Sequence, residues 1–157
     1  SATALAISLS GLQSYRFGRQ VTLPYTYGDY LPTSPLELID ANYQANLHTL
    51  VLLDLDPTGM GVDQPQPMQP ATAVEILASM HSRLVEREGK TRESMSTPIA
   101  QWNSILLSDL GTPDQRVVSG HLEDIAKEEG GRIHCLILPA EFSGMEGEAY
   151  ERRQGQS

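Results

Sequence analysis

Three observations predict a layered α/β domain, a mixed β-sheet of about four or five strands with helices packed against it. Short apolar, β-rich runs alternate with segments of helical periodicity along most of the chain. The run Leu50, Val51, Leu52, Leu53 is apolar without interruption, as expected of an internal strand covered on both faces in a mostly parallel sheet. Gly (13) and Pro (10) fall between these segments and punctuate them.

The opening SATALAISLSGL reads as the body of a buried helix with little lead-in. With no methionine before Ser1, it is the expected start of a fragment or processed product. Residues 1–10 are assigned to an inter-domain segment and the start of that helix, 11–145 to the α/β domain, and 146–157 to a flexible tail. Tyr15, Arg16 and Phe17 read either as a helix end, with Gly18 as the permissive residue beyond it, or as a direct substrate contact.

Gln20 to Tyr25 is β-rich and is followed by a Tyr-, Gly- and Pro-rich loop to Thr33. Ser34 then caps a helix, Pro35 takes its first position and Glu37 completes an S-x-x-E box, with the helix reaching Asn46. Leu47 to Asp56 is a strand. Pro57 to Pro70, with Gly59, Gly61 and four prolines, is a long loop. From Ala71 to Glu88, Val74, Leu77, Met80, Leu84 and Val85 form one helical stripe. Strands are predicted at Trp102–Leu107, Arg116–Val118 and Arg132–Leu138, with a short helix at His121–Glu129 stopped by Gly130 and Gly131.

A chain of 157 residues hides roughly 69% of its extended surface on folding, enough for one hydrophobic core. Net charge is −9 and the 11 basic residues are dispersed, so the basic stripe that a phosphate backbone requires is missing and direct nucleic-acid binding is excluded. The acidic excess fits a basic partner surface, a salt-rich habitat or plain solubility. Cys135, the sole cysteine, rules out an intramolecular disulfide and fits a reducing compartment, the cytoplasm. No apolar run approaches the roughly 20 residues of a membrane helix, so a soluble protein is expected.

Few residues offer chemistry. Asp54 and Asp56 lie at the end of the apolar strand, where open sheets place ligands, but no histidine or third carboxylate follows at metal-ligand spacing. His134 and Cys135 are strand neighbours pointing to opposite faces and cannot form a nucleophile–base pair. His48, His81 and Trp102 read as structural residues. GMGVDQ, from Gly59 to Gln64, lacks the third glycine of a dinucleotide fingerprint and reads as loop, and neither a phosphate loop nor a G-x-S-x-G elbow occurs.

Three segments in fixed order, GLQSYRFGRQVTLPY from Gly11, LHTLVLLDLD from Leu47 and RIHCLILP from Arg132, each join a strand-like run to polar residues that periodicity does not place. Together they resemble the C-terminal half of the diphthine synthases, S-adenosylmethionine-dependent methyltransferases of the tetrapyrrole-methylase superfamily. Further counterparts are Pro32–Pro35, Ala71–Ala78 and Ile105–Gly111, so the resemblance covers nearly the whole chain.

The resemblance implies S-adenosylmethionine held in a cleft between two α/β domains, and methyl transfer to the amino group of a modified histidine on elongation factor 2. It also implies a homodimer and an N-terminal methyltransferase domain outside this chain, without which the isolated chain is expected to be inactive. The positions it carries over for the methyl donor are Ser1, Ala2, Leu53, Leu110 and His134, with Leu53 and Leu110 packing on adenine and His134 orienting polar atoms. No catalytic acid, base or metal ligand is implied, because methyl transfer from a sulfonium can proceed by positioning and preorganised electrostatics. One departure is that the motif before Gly111 reads SDL, where the family usually has A-R-x. The alternatives are another tetrapyrrole methylase, acting on a corrinoid precursor, and a non-catalytic module for dimerisation or partner binding.

Overall fold

The computed structural model describes residues 2–56 and 66–155. Helix α1 (Ala2–Ser10) is followed by a 3-10 turn at Ser14–Arg16, strand β1 (Val21–Leu23), helix α2 (Ser34–Gln44) and strand β2 (Thr49–Leu53). A two-residue β3 (Leu55–Asp56) pairs antiparallel with β4 (Gln66–Pro67), and helix α3 covers Pro70–Glu88. Two 3-10 turns lead into β5 (Asn103–Ser108) and β6 (Arg116–His121). The one-turn α4 (Leu122–Ile125), β7 (His134–Leu138) and α5 (Gly144–Arg152) complete the chain.

Five strands form one mixed sheet in the order β1-β2-β7-β5-β6. Only β1 and β2 run parallel; β7 inserts antiparallel between β2 and β5, and β6 closes the far edge antiparallel to β5. β2 is thus internal, as its apolar run predicts, but the expectation of a mostly parallel sheet is corrected. The run is apolar on both faces because helices cover both sides of a largely antiparallel sheet.

Side chains that alternate along each strand feed two cores. Val51, Leu106, Leu136 and Leu138 meet Leu36 and Ile39 of α2, the stripe Ile76, Leu77, Met80 and Leu84 of α3, and Leu122 and Ile125 of α4. On the opposite face Leu50, Ile105, Leu107 and Ile137 meet Ala6 of α1, Leu12 and Tyr150 of α5. Leu106 and Leu136 are cross-strand partners without exposed surface, and burying each stabilises the fold by roughly 1.5–3 kcal/mol.

Several local expectations are corrected. Thr33, not Ser34, stands at the N-terminus of α2: it is buried, its carbonyl accepts the Glu37 N–H, and its hydroxyl donates to Glu37 Oε2 at 2.9 Å. The left-handed residue after α1 is Gly11, with φ of 77°. Gly18 serves a different need, because a Cβ there would lie 2.3 Å from Asn42 Oδ1, and that side-chain amide bonds both the N–H and the carbonyl of Arg19. Within α1 only Ala6 and Ser10 are buried, so it covers the sheet with a narrow stripe instead of lying inside a core.

The tail expected to be flexible from residue 146 is instead folded through residue 155. Ser143 and Glu146 form a capping box at the start of α5, and Ala149 and Tyr150 are buried. Beyond the helix, Ser119 N–H donates to the Arg153 carbonyl at 2.7 Å and Gly155 N–H returns to the Ser119 carbonyl at 3.2 Å, which covers part of the β6 edge. GMGVDQ and most of the Pro57–Pro70 loop lie outside the described residues. Among the described residues, no helix is long and apolar enough to cross a membrane.

Candidate functional site

Sheet register builds a row of side chains across one end of the sheet. Leu23 of β1 partners Leu53 of β2, and Ser108 of β5 partners both His134 of β7 and Arg116 of β6. Continuing the β2–β7 register by one residue beyond Leu52 and Cys135 sets Leu53 beside His134. Leu53 is half-buried against the larger core, while Ser108 and His134 are buried.

The close side-chain partner of His134 is Ser108. Ser108 Oγ lies 2.7 Å from Nδ1, whereas Nε2 is buried and has no hydrogen-bond partner among the described residues. Burial lowers the His134 pKa and Arg116 adds to this, while Asp109 and a backbone hydrogen bond with Gly131 oppose it, and the net shift is downward. Gly131, with φ of 81°, sits over the imidazole; a Cβ there would lie 2.9 Å from His134 Cε1 and 3.1 Å from Asp109 Oδ2. Only glycine fits both the backbone and the space.

Asp109 fixes that lip. It adopts φ of 50°, its N–H donates to the Ile133 carbonyl at 2.8 Å, and its carboxylate accepts the N–H groups of Ile133 at 2.9 Å and Arg132 at 3.0 Å. Those two N–H groups, Ile133 first, hold the carboxyl below the usual range. Beside the lip opens a cavity of about 700 Å³, lined by Ser108, Asp109, Arg116, Gly130, Gly131 and Ile133 among others. Arg116 reaches Glu128 through Nη1 at 3.4 Å, while its Nη2 is buried without a partner among the described residues.

Of the positions carried over for a methyl donor, Leu53, Leu110 and His134 converge on this end. They do not form one surface. Leu110 packs with the smaller core, on the opposite face from Leu53, and His134 lies behind Gly131 instead of lining the cavity. Ala2 is exposed at the start of α1, a helix whose Leu5 Cδ2 lies 3.8 Å from where a Cβ on Gly111 would stand. Ser1 lies outside the described residues.

The remaining candidates separate. Asp54 is exposed just after β2 and Asp56 falls in β3. Burial pushes the Cys135 thiol up to about 11, which leaves a poor nucleophile. His81 is half-buried in α3, its Nε2 without a hydrogen-bond partner among the described residues. Trp102 packs against the larger core and donates Nε1–H to the Thr97 carbonyl at 2.9 Å. His121, Glu123 and Asp124 bring ligand atoms within 4.8 Å of one another, all on exposed side chains. A second cavity, of about 470 Å³, opens at the opposite end of the sheet beside Tyr43, Trp102 and Leu138.

A buried polar cluster was not legible in advance. His48 has no exposed surface; its Nδ1 accepts the Ala140 N–H at 2.9 Å, so the ring proton sits on Nε2 and is donated to Glu146 Oε2 at 2.8 Å. Glu146 also accepts the N–H groups of Gln13 and Ser143, each at 2.9 Å, and pairs with the Arg16 guanidinium. Burial pushes the Glu146 carboxyl up, but the Ser143 and Gln13 N–H groups and His48 outweigh it and bring it down to about 2. Burial lowers His48, against the pull of Glu146. Both His48 nitrogens are thus occupied, so the cluster joins motif segments instead of awaiting a ligand. The S-x-x-E spacing of Ser143 and Glu146 was the one signal for it.

The class is defined by a five-stranded mixed sheet between helical layers. Two solved structures are similar in fold: a candidate diphthine synthase from Entamoeba histolytica (TM-score 0.80, 26% identity, covering 97% of this chain and 56% of that one) and a conserved hypothetical protein from Aeropyrum pernix K1 (TM-score 0.77, 27% identity, 98% and 50%). In sequence the chain is 35% identical over 156 residues to the diphthine synthase of Methanocorpusculum labreanum, covering 99% of this chain and 55% of that protein. It is 32% identical to that of Halorubrum lacusprofundi, covering 95% and 52%. The chain is similar to diphthine synthases over nearly all of its own length and spans about half the length of the curated relatives it matches, which fits a C-terminal domain. No family model matches the chain.

Proposed function

We propose that this chain contributes strand-end residues to the methyl-donor site of a diphthine synthase, a cytoplasmic, homodimeric methyltransferase acting on elongation factor 2. The observation that carries the reading is the convergence of Leu53, Leu110 and His134, drawn from three separate motifs, on one end of the sheet.

The residues fit S-adenosylmethionine. The orphaned Nε2 of His134 offers a buried polar atom, Leu53 and Leu110 offer apolar surface, and the neighbouring cavity falls in the size range of small-molecule sites. When bound, the donor supplies an electrophilic methyl group on a sulfonium. The chain's own part is to orient and desolvate, with Leu53 and Leu110 excluding water and His134 holding a polar atom in register.

A site of this kind needs an opposing wall, since small-molecule sites bury 70–90% of their ligand. Labelled methyl transfer to elongation factor 2 carrying the unmethylated histidine intermediate tests the reading. The chain alone should be inactive, and mixing it with the N-terminal half of a full-length relative should give turnover. Robust turnover by the chain alone overturns the divided site.

A further inference from the structure

We propose that Ser108 is a positioning residue for His134: its hydroxyl donates to His134 Nδ1, leaves the ring proton on Nε2, and so presents His134 as a fixed hydrogen-bond donor at this end of the sheet. The inference rests on the methyl-donor reading only for the identity of the group that Nε2 would meet.

Both partners are buried, at 1% and 4% exposure, and their atoms are 2.7 Å apart. A neutral imidazole has one donor and one acceptor nitrogen, while a hydroxyl can act either way. Among the described residues, Ser108 Oγ has no hydrogen-bond partner except His134. Were the ring proton on Nδ1, the Ser108 hydrogen would be buried with nothing to receive it, and Nε2 would be a bare lone pair. The opposite tautomer satisfies the hydroxyl and leaves one unsatisfied group, the Nε2–H.

The surroundings hold this arrangement rigidly. Asp109 pins the backbone of Arg132 and Ile133, immediately before His134, and Gly131 closes over the ring. An Nε2–H donor selects an acceptor: a ring nitrogen of adenine, a ribose oxygen or a carboxylate oxygen of the methyl donor. Ser108 and Asp109, adjacent in sequence, are the two braces, one on the ring and one on the backbone that precedes it.

Nitrogen-15 NMR of histidine-labelled chain tests the tautomer without any ligand, with His134 assigned by the signals lost in His134→Gln. Wild type should show a protonated Nε2 and a lone-pair Nδ1. Ser108→Ala should shift the ring toward a mixture of tautomers, and Ser108→Thr, which keeps the hydroxyl, should restore the wild-type pattern. With the N-terminal half of a relative added, S-adenosylmethionine should bind Ser108→Ala roughly fivefold more weakly than wild type, the loss expected for one hydrogen bond. A protonated Nδ1 in wild type, or an unchanged ring in Ser108→Ala, overturns the proposal. A wild-type sample with the stated tautomer that binds no S-adenosylmethionine overturns the functional reading instead.

Discussion

Glu146 accepts the Nε2 proton of His48 at 2.8 Å across 98 residues of sequence, and both side chains are almost wholly buried. The contact ties α5 to the segment preceding β2. Because Glu146 also takes the Gln13 and Ser143 N–H groups and pairs with Arg16, it is where three distant segments meet. A buried charge that loses its partners is costly, and so is the loss of the charge that satisfies them.

Glu146→Ala should therefore destabilise the chain by about 3 kcal/mol, since Arg16 and His48 would remain without their shared acceptor. Urea unfolding measures this. A midpoint unchanged from wild type would show that the cluster relaxes freely and that α5 is not anchored by it.

The same pair sets a pH dependence. The Glu146 carboxyl lies near 2, below its ordinary value, so its contribution is complete above about pH 4.5 and drains away as pH falls toward 2. His48 is also lowered, so below about pH 6.5 the unfolded chain takes up a proton that the folded chain refuses. Both effects weaken the fold on acidification. Thermal unfolding should show stability declining from about pH 6.5 downward, with the steepest part below 4.5 flattened in Glu146→Gln and the upper part flattened in His48→Gln.

Much of the fold was legible because it is local. The stripe of α3 and the uninterrupted run of β2 follow from periodicity and burial alone. The insertion of β7 between β2 and β5 is not local, and no pattern within HCLIL distinguishes a parallel neighbour from an antiparallel one. Thr33 and Ser34 are both good caps by residue type, and sequence alone does not tell which one starts the helix, whereas in the fold Thr33 is buried there and bonded to Glu37.

The proposed donor positions Leu53, Leu110 and His134 came from resemblance and not from periodicity. Ser108 showed in the sequence only as a departure, because its role needs the register that sets β5 against β7. Glu146 was missed since GMEGEAYERR reads as a solvated end, and its burial depends on residues more than a hundred positions away.

Gly131→Ala should destabilise by about 1–3 kcal/mol, combining a left-handed backbone with a Cβ 2.9 Å from His134 Cε1. Calorimetric melting reads the stability. The NMR signals of the His134 ring should move at the same time, because the imidazole has to yield to the methyl group. A destabilised variant whose His134 signals stay in place would mean that the loop shifts away from β7 as a unit.

Hydrogen exchange tests the internal position of β2. Leu50 and Val51 are buried, and β2 is flanked by β1 and β7, so their amides should be among the slowest to exchange and should open only with global unfolding. Rapid exchange there under native conditions would contradict the sheet order.

Donor binding provides the decisive contrast between His134 and its apolar neighbours. In a two-domain protein containing this chain, His134→Ala should weaken S-adenosylmethionine binding by about 1–3 kcal/mol, the value of a buried, oriented hydrogen bond. Leu53→Asp should cost more, since it sets a carboxylate against apolar surface, but Leu53 also packs on the larger core, so part of that loss would be structural. Titration calorimetry alongside thermal melting separates the two effects. Both variants should melt lower, His134→Ala because the buried Ser108 hydroxyl loses its partner and Leu53→Asp because a carboxylate meets the core, so affinity is compared at a temperature where each is folded. Unchanged affinity in a folded His134→Ala would remove His134 from the donor site and leave its buried nitrogen without a function.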